Sequence, residues 1–231
     1  QFLIETKQLQ EIKNSVANNR STVYSFLLTI YNILLHKCSG QCDIVIGSPV
    51  TGRSDIDLQK NIGVFINMMP MRNVFKQSES FQEMFKNVTN NAIDAFSNQD
   101  YPFENLLIKL GIKGDTNRNP LFDNVFNFLN YNFNIVENSQ LNFIPYKADF
   151  TFSKFDLHFV GVEQNNSILI TMRYSTELFK ESTAKMIVDN FIEIINQVIE
   201  NPKIEIQKII FKQNLAKVEP EVAFFESDFN F

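Results

Sequence analysis

Histidine is the side chain best suited to moving protons near neutral pH, and this sequence of 231 residues has two, His36 and His158. His36 falls near the end of a helical pattern, where a positive or polarizable group suits the helix dipole. His158 sits between Leu157 and Phe159 in strand-like text. Neither has a readable serine or cysteine partner, so both are expected to be structural. Cys38 and Cys42 are the only cysteines, and with His36 alone nearby they make no metal-ligand pattern. A disulfide between them is geometrically open, but idle thiols in a reducing cytosol are the expectation. Gly47 and Gly52 have the spacing of a phosphate-cradling loop, yet Arg53 stands where the lysine belongs and the text after Ser54 is too polar to open a buried helix. The net charge of −5, from 21 Lys+Arg against 26 Asp+Glu, gives no electrostatic reason to expect nucleic acid as a partner.

Three segments resist a purely structural reading. Residues 62–72, IGVFINMMPMR, place Asn67 inside apolar text and end on Pro70 and Arg72. A buried amide needs partners, so Asn67 is either a clamp or a site residue. Residues 98–104, NQDYPFE, put Pro102 just before a helix, with Asn98 or Asp100 able to cap it. Residues 118–122, RNPLF, form a loop in which Arg118 and Asn119 precede Pro120.

The elements that must hold these segments follow from periodicity. Residues 2–4 read as a short strand and 6–18 as a helix with Leu9, Ile12 and Val16 on one face. Ser21 or Thr22 can cap a second helix running to about Lys37, and Gly40 ends it. Ile44-Val45-Ile46 marks a buried strand over 43–50, and 62–71 is a second extended segment. Residues 81–97 have helical spacing, and 104–110 make a short helix before a loop to Pro120. Strands follow at 124–131, 155–162 and 167–174, the last two joined by a tight turn at Asn165-Asn166. A long amphipathic helix spans about 180–200 and stops at Pro202; from 212 onward the text is an acidic linker. With 44% hydrophobic residues, 24 Phe and no Trp, the chain has ample material for an apolar core. Helices and strands intermix without strict alternation, which predicts a two-layer α/β sandwich on a mixed sheet. No apolar run reaches the ~20 residues a membrane span needs.

The three unusual segments, in this order, resemble the last three sequence signatures of the condensation domains of nonribosomal peptide synthetases. In those domains an Ile-Gly-x-Phe-Val-Asn block, a Gln-Asp-Tyr-Pro-Phe-Glu block and a Ser-Arg-Asn-Pro-Leu block succeed one another; here Asn117 replaces the serine, and Met68-Met69 the common Thr-Leu. DIVIGSPVTGR at 43–53, SKFDL at 153–157 and YSTELF at 174–179 also match family segments, so the resemblance runs from about residue 2 to 210. Phe65-Ile66-Asn67 favours condensation over epimerization, whose first block differs.

The resemblance implies a chloramphenicol acetyltransferase-like half-domain: a C-terminal lobe over 1–211, with 212–231 as linker to a following domain. It implies acyl transfer, in which the amine of one carrier-bound substrate attacks the thioester of another. The family's His-His-x-x-x-Asp-Gly motif belongs to the N-terminal lobe and is absent from these residues, so no catalytic residue and no metal site is expected here. Asn67 and Asn130, then Ser153 and Lys154, are the expected polar groups of the substrate tunnel. Gly63, Arg53, Arg72, Asp100, Pro102, Arg118, Asn119 and Pro120 are expected to be structural, with Arg118 in a buried ion pair. The implied partners are the N-terminal lobe, peptidyl carrier domains carrying phosphopantetheine-tethered substrates, and an adenylation domain, all in the cytoplasm. A non-catalytic module binding carrier or adenylation domains, and a free-standing acyltransferase using coenzyme A, are the alternative readings.

Overall fold

A computed structural model describes residues 1–112, 118–129, 153–164 and 166–212. The second helix organises it. Its residues Phe26, Leu27, Ile30, Tyr31, Ile33 and Leu34 surround the helix axis, and all are buried, so this helix has neighbours on every side. It is α2 (Val23–Ser39), capped by Thr22, whose side chain accepts from the Ser25 N–H, and closed by Gly40 in the left-handed conformation. Around it lie α1 (Thr6–Asn18), α3 (Phe81–Ser97) and α5 (Glu181–Glu200). A Ser80–Glu83 capping box starts α3.

The helices cover one face of a six-stranded sheet. Its strands are β1 (Phe2–Ile4), β2 (Asp43–Val50), β3 (Asn67–Val74), β4 (Asn124–Leu129), β5 (Leu157–Gln164) and β6 (Ser167–Tyr174), in the order β1-β6-β5-β4-β2-β3. β4 runs parallel to both neighbours and every other pairing is antiparallel. This is the two-layer mixed sheet that the sequence pattern predicts. Ile44, Ile46, Met69, Met71, Phe126, Phe159, Ile168 and Ile170 point inward by the period of two and join the core. Much of the phenylalanine is accounted for here: Phe159 lies 4.6 Å from Tyr31 and 5.1 Å from Phe191, and Phe26 packs edge-on against Phe81 and Phe85. Pro70 is tolerated because β3 is an edge strand.

The outer face of the sheet is covered near Gly47. A Cβ there would stand 2.2 Å from the Phe122 ring, so glycine lets that ring lie flat on the strand. Phe103, which opens the short helix α4 (Phe103–Lys109), stacks obliquely on Phe122 at 5.4 Å. Among the described residues no helix is long and apolar enough to cross a membrane.

Two strand starts differ from the sequence reading. β3 begins at Asn67 and not at 62: the chain bends at Gly63, whose carbonyl bonds to the Arg53 guanidinium, as do those of Leu58 and Asn61 just before it. β5 begins at Leu157, since Ser153 turns its hydroxyl back onto the Phe155 carbonyl at 2.6 Å. Asn130, Asn165 and the tail from 213 lie outside the described residues.

His158 sits in β5 opposite Arg173, with its ring edge-on to Phe155 and a buried Nε2 that has no hydrogen-bond partner among the described residues. Burial, reinforced by Arg173, pushes its pKa down to about 4 from the usual 6.5. The unfolded chain therefore binds a proton that the folded chain refuses between those values, and stability falls as pH drops from about 6.5 toward about 4. Partial exposure limits the effect to about 1–2 kcal/mol. His158→Phe should flatten the fall in thermal midpoint across that window, and an unchanged slope would contradict this assignment.

Candidate functional site

The polar residues gather at two opposite ends of the parallel strands. At the starting end, Asp123 precedes β4 and Asp156 precedes β5, side by side because those strands pair in register. Arg118 bridges them at 3.1 and 2.7 Å. Asn119 donates to the Lys154 carbonyl at 2.9 Å, and the Lys154 ammonium lies 5.8 Å from the centre of the Phe155 ring. The Asp156 carboxyl is held above its usual range, first by burial and then by Asp123, with Arg118 opposing both. Arg72 also lies toward this end and binds Asp43 through two hydrogen bonds of 2.9 and 2.8 Å.

The Arg118 side chain is 57% exposed, which corrects the expected buried ion pair. Its two carboxylates precede strands whose ends meet at the surface, so the guanidinium works as an external staple in water.

The finishing end carries a cavity. About 510 Å³ opens between the start of α2, the ends of β2 and β4, and the end of α3. Thr22, Tyr24, Ser48, Thr51, Gln99, Asn127 and Glu163 supply its polar lining; Val23, Val50, Phe96, Phe128 and Leu129 supply apolar walls. Tyr24 donates to Ser48 at 2.9 Å, and Ser48 donates to the Phe126 carbonyl at 3.1 Å, tying α2 to β2 and β4. Burial pushes the Tyr24 phenol up to about 12, against the opposing effect of the Ser48 bond, so it stays a neutral donor at physiological pH. Glu163 is held at the rim by Lys13 at 2.7 Å. The cavity thus offers hydroxyls, amides and apolar surface. It is suited to orienting a substrate, and no histidine or cysteine lines it.

Asn67 stands at this end, paired with Val50. Its Nδ2 donates to the carbonyls of Gln99 at 2.9 Å and Tyr101 at 2.8 Å. Its Oδ1 accepts from the N–H groups of Met68 at 3.0 Å and Phe103 at 3.2 Å. A carboxamide has two donors and two acceptor positions, and all four are used. The expectation that Asn67 offers its amide to a substrate is therefore corrected: it is a clamp holding residues 99–103 against β3. Nearby, Asp100 accepts from the Ser54 hydroxyl at 2.8 and 3.0 Å, and Pro102 sits at the N-cap of α4. Arg53 also lies over the Phe65 ring at 4.3 Å, and a side chain at Gly52 (φ 61°) would collide with the Phe65 carbonyl.

The structure thus separates the expected tunnel residues. Ser153 and Lys154 lie at the starting end, roughly 20 Å from the cavity by the rise of a six-residue strand, while Asn130 lies outside the described residues. Tyr24, Ser48 and Gln99 went unrecognised in the sequence because they come from three separate elements. Among the described residues no cluster of His, Cys, Asp or Glu could hold a metal ion.

The family model described as Condensation domain matches residues 1–214. Gramicidin S synthase 2 of Aneurinibacillus migulanus is 40% identical over 88% of this chain, and tyrocidine synthase 3 of Brevibacillus parabrevis is 40% identical over 82%. This chain spans 5% and 3% of those proteins' lengths. Among solved structures, the X-domain from teicoplanin biosynthesis shares the fold with a TM-score of 0.83 at 21% identity, over 90% of this chain and 48% of that one.

Replacing Asn67 with Ala removes four hydrogen bonds and should cost about 2–4 kcal/mol, several degrees in thermal midpoint. Asn67→Asp keeps the two acceptor positions but sets a carboxylate against the Gln99 and Tyr101 carbonyls, so it should not restore stability. An unchanged midpoint for Asn67→Ala would contradict the clamp.

Proposed function

The chain belongs to the condensation-domain family, and on that premise we propose that it is the C-terminal lobe of a domain forming peptide bonds between carrier-bound aminoacyl or peptidyl thioesters. The observation that carries this reading is the family match over residues 1–214. In the reaction, the free amine of the acceptor attacks the donor's thioester carbonyl. A tetrahedral intermediate forms, the amine loses its proton, and the carrier's thiol leaves.

Such a reaction gains most from holding two tethered substrates in register and from stabilising the developing oxyanion. The neutral donors and apolar walls at the finishing end of β2 and β4 suit the first task. They do not supply a base. These 231 residues contain no adjacent histidines, so proton handling falls to the His-His motif of the N-terminal lobe. The phosphopantetheine arms belong to partner carrier domains, and the adjoining adenylation domain supplies the activated amino acid. The setting is cytoplasmic synthesis of a peptide secondary metabolite of the antibiotic type.

A product assay with loaded donor and acceptor carrier proteins tests the proposal. This chain alone should give no peptide above the buffer rate, and the complete two-lobe domain should give turnover. Peptide formation by the single lobe, or none by the two-lobe domain, would contradict the reading.

A further inference from the structure

Phe96 is the cavity wall residue that folding does not explain. It sits near the end of α3 and is 36% exposed, in a helix whose other phenylalanines, Phe81 and Phe85, are buried. Its ring is edge-on to Tyr24 at 5.6 Å, which fixes it in the wall. Phe128 faces the same space from β4. Gly161, opposite it in β5, makes room for its ring, since a Cβ there would stand 2.7 Å from Phe128. With Val23, Val50 and Leu129 these rings line a space of about 510 Å³, a volume within the ~300–1,000 Å³ of small-molecule sites. Apolar surface left open to water in this way is stabilised when another apolar group covers it. The charge of the cavity is already matched. Glu163 is the one charged side chain lining it among the described residues, and the Lys13 ammonium holds it at 2.7 Å. A charged substrate group brought here would give up water without gaining a counter-ion.

We propose that this cavity receives the side chain of a carrier-bound aminoacyl group and selects large apolar ones, aromatic or branched aliphatic. Phe96, Phe128 and Leu129 set the size preference, and the Lys13–Glu163 pair excludes charge. This rests on the reading of the chain as a lobe of a peptide-bond-forming domain. Thr51, Gln99 and Asn127 stand beside the apolar walls and supply hydroxyl and amide groups for the polar backbone of the same aminoacyl group. The side chain can arrive on the donor or on the acceptor carrier, because the chemistry that recognises it is the same. A pocket of this kind discriminates by the apolar surface it covers, and separates an aromatic ring from a methyl group by about tenfold or more. Removing Lys13 would leave Glu163 as an unmatched carboxylate and turn the exclusion of cations into their recognition.

Competition between substrates in the complete two-lobe domain tests this. Carrier proteins loaded with phenylalanyl, alanyl, lysyl or aspartyl groups compete in pairs, first as acceptors against one donor and then as donors against one acceptor. The product ratio is internal to each reaction, so a change in total activity or in the folded fraction does not move it. In one arm phenylalanyl should be preferred about 30-fold over alanyl, and at least as strongly over lysyl and aspartyl; that arm identifies the substrate whose side chain the cavity reads. There Phe96→Ala should narrow the phenylalanyl-to-alanyl ratio about tenfold. Lys13→Met should raise the lysyl share about tenfold and leave aspartyl excluded. Ratios within about twofold of unity in both arms, a preference for lysyl or aspartyl in the unmodified domain, or preferences that neither variant moves would overturn the side-chain pocket and leave the function standing. A two-lobe domain that makes no peptide from any pair would overturn the functional reading and this inference with it.

Discussion

The Asn67 carboxamide binds the carbonyls of Gln99 and Tyr101 and the N–H groups of Met68 and Phe103, and much of the finishing end hangs from these four bonds. They draw the segment after α3 down onto the start of β3, which brings Gln99 and Phe96 to the cavity wall. They set the start of α4, whose first residue reaches Phe122 and, through it, the bare backbone of Gly47. They also leave the residues just before Asn67 outside the sheet. An aspartate could make only the accepting half of this arrangement, and an aliphatic residue none of it.

Parallel pairing of β4 with β5 divides the polar chemistry. Residues preceding the two strands are brought together at one end, where Asp123 and Asp156 share Arg118. Residues finishing them are brought together at the other, where the cavity lies. The first cluster is charged and largely satisfied by its own members. The second is mostly neutral, with Tyr24 locked as a donor by its raised pKa and Glu163 tied to Lys13. The second end therefore offers neutral groups suited to orienting a substrate, the role proposed for this lobe.

Local pattern made much of the fold legible. Phe81, Met84, Phe85, Val88 and Ala92 recur at helical spacing and are all buried in α3, and the Ile44-Val45-Ile46 run is a strand as its β-branching implies. Pattern failed where the chain bends out of it. The text of 62–66 is as strand-like as that of β3, but the chain bends at Gly63, and Arg53, about ten residues earlier, takes the carbonyls of Leu58, Asn61 and Gly63. No local signal distinguishes an arginine that captures backbone from one that is solvated. The unusual text around Asn67 did mark the residue as needing partners, without telling a clamp from a site. The cavity was illegible for a different reason. Tyr24, Ser48, Gln99 and Asn127 are unremarkable within their own elements and meet only through the sheet order.

The claim that this lobe orients substrates without taking part in proton transfer is tested most directly by the pH dependence of single-turnover peptide formation in the two-lobe domain. Tyr24→Phe and Glu163→Gln remove the two titratable side chains that line the cavity among the described residues. The account predicts that each variant lowers the rate at all pH values and leaves the inflections of the profile where they are in the unmodified domain. Loss or displacement of a limb of the profile in either variant would place an acid or base in this lobe and contradict it.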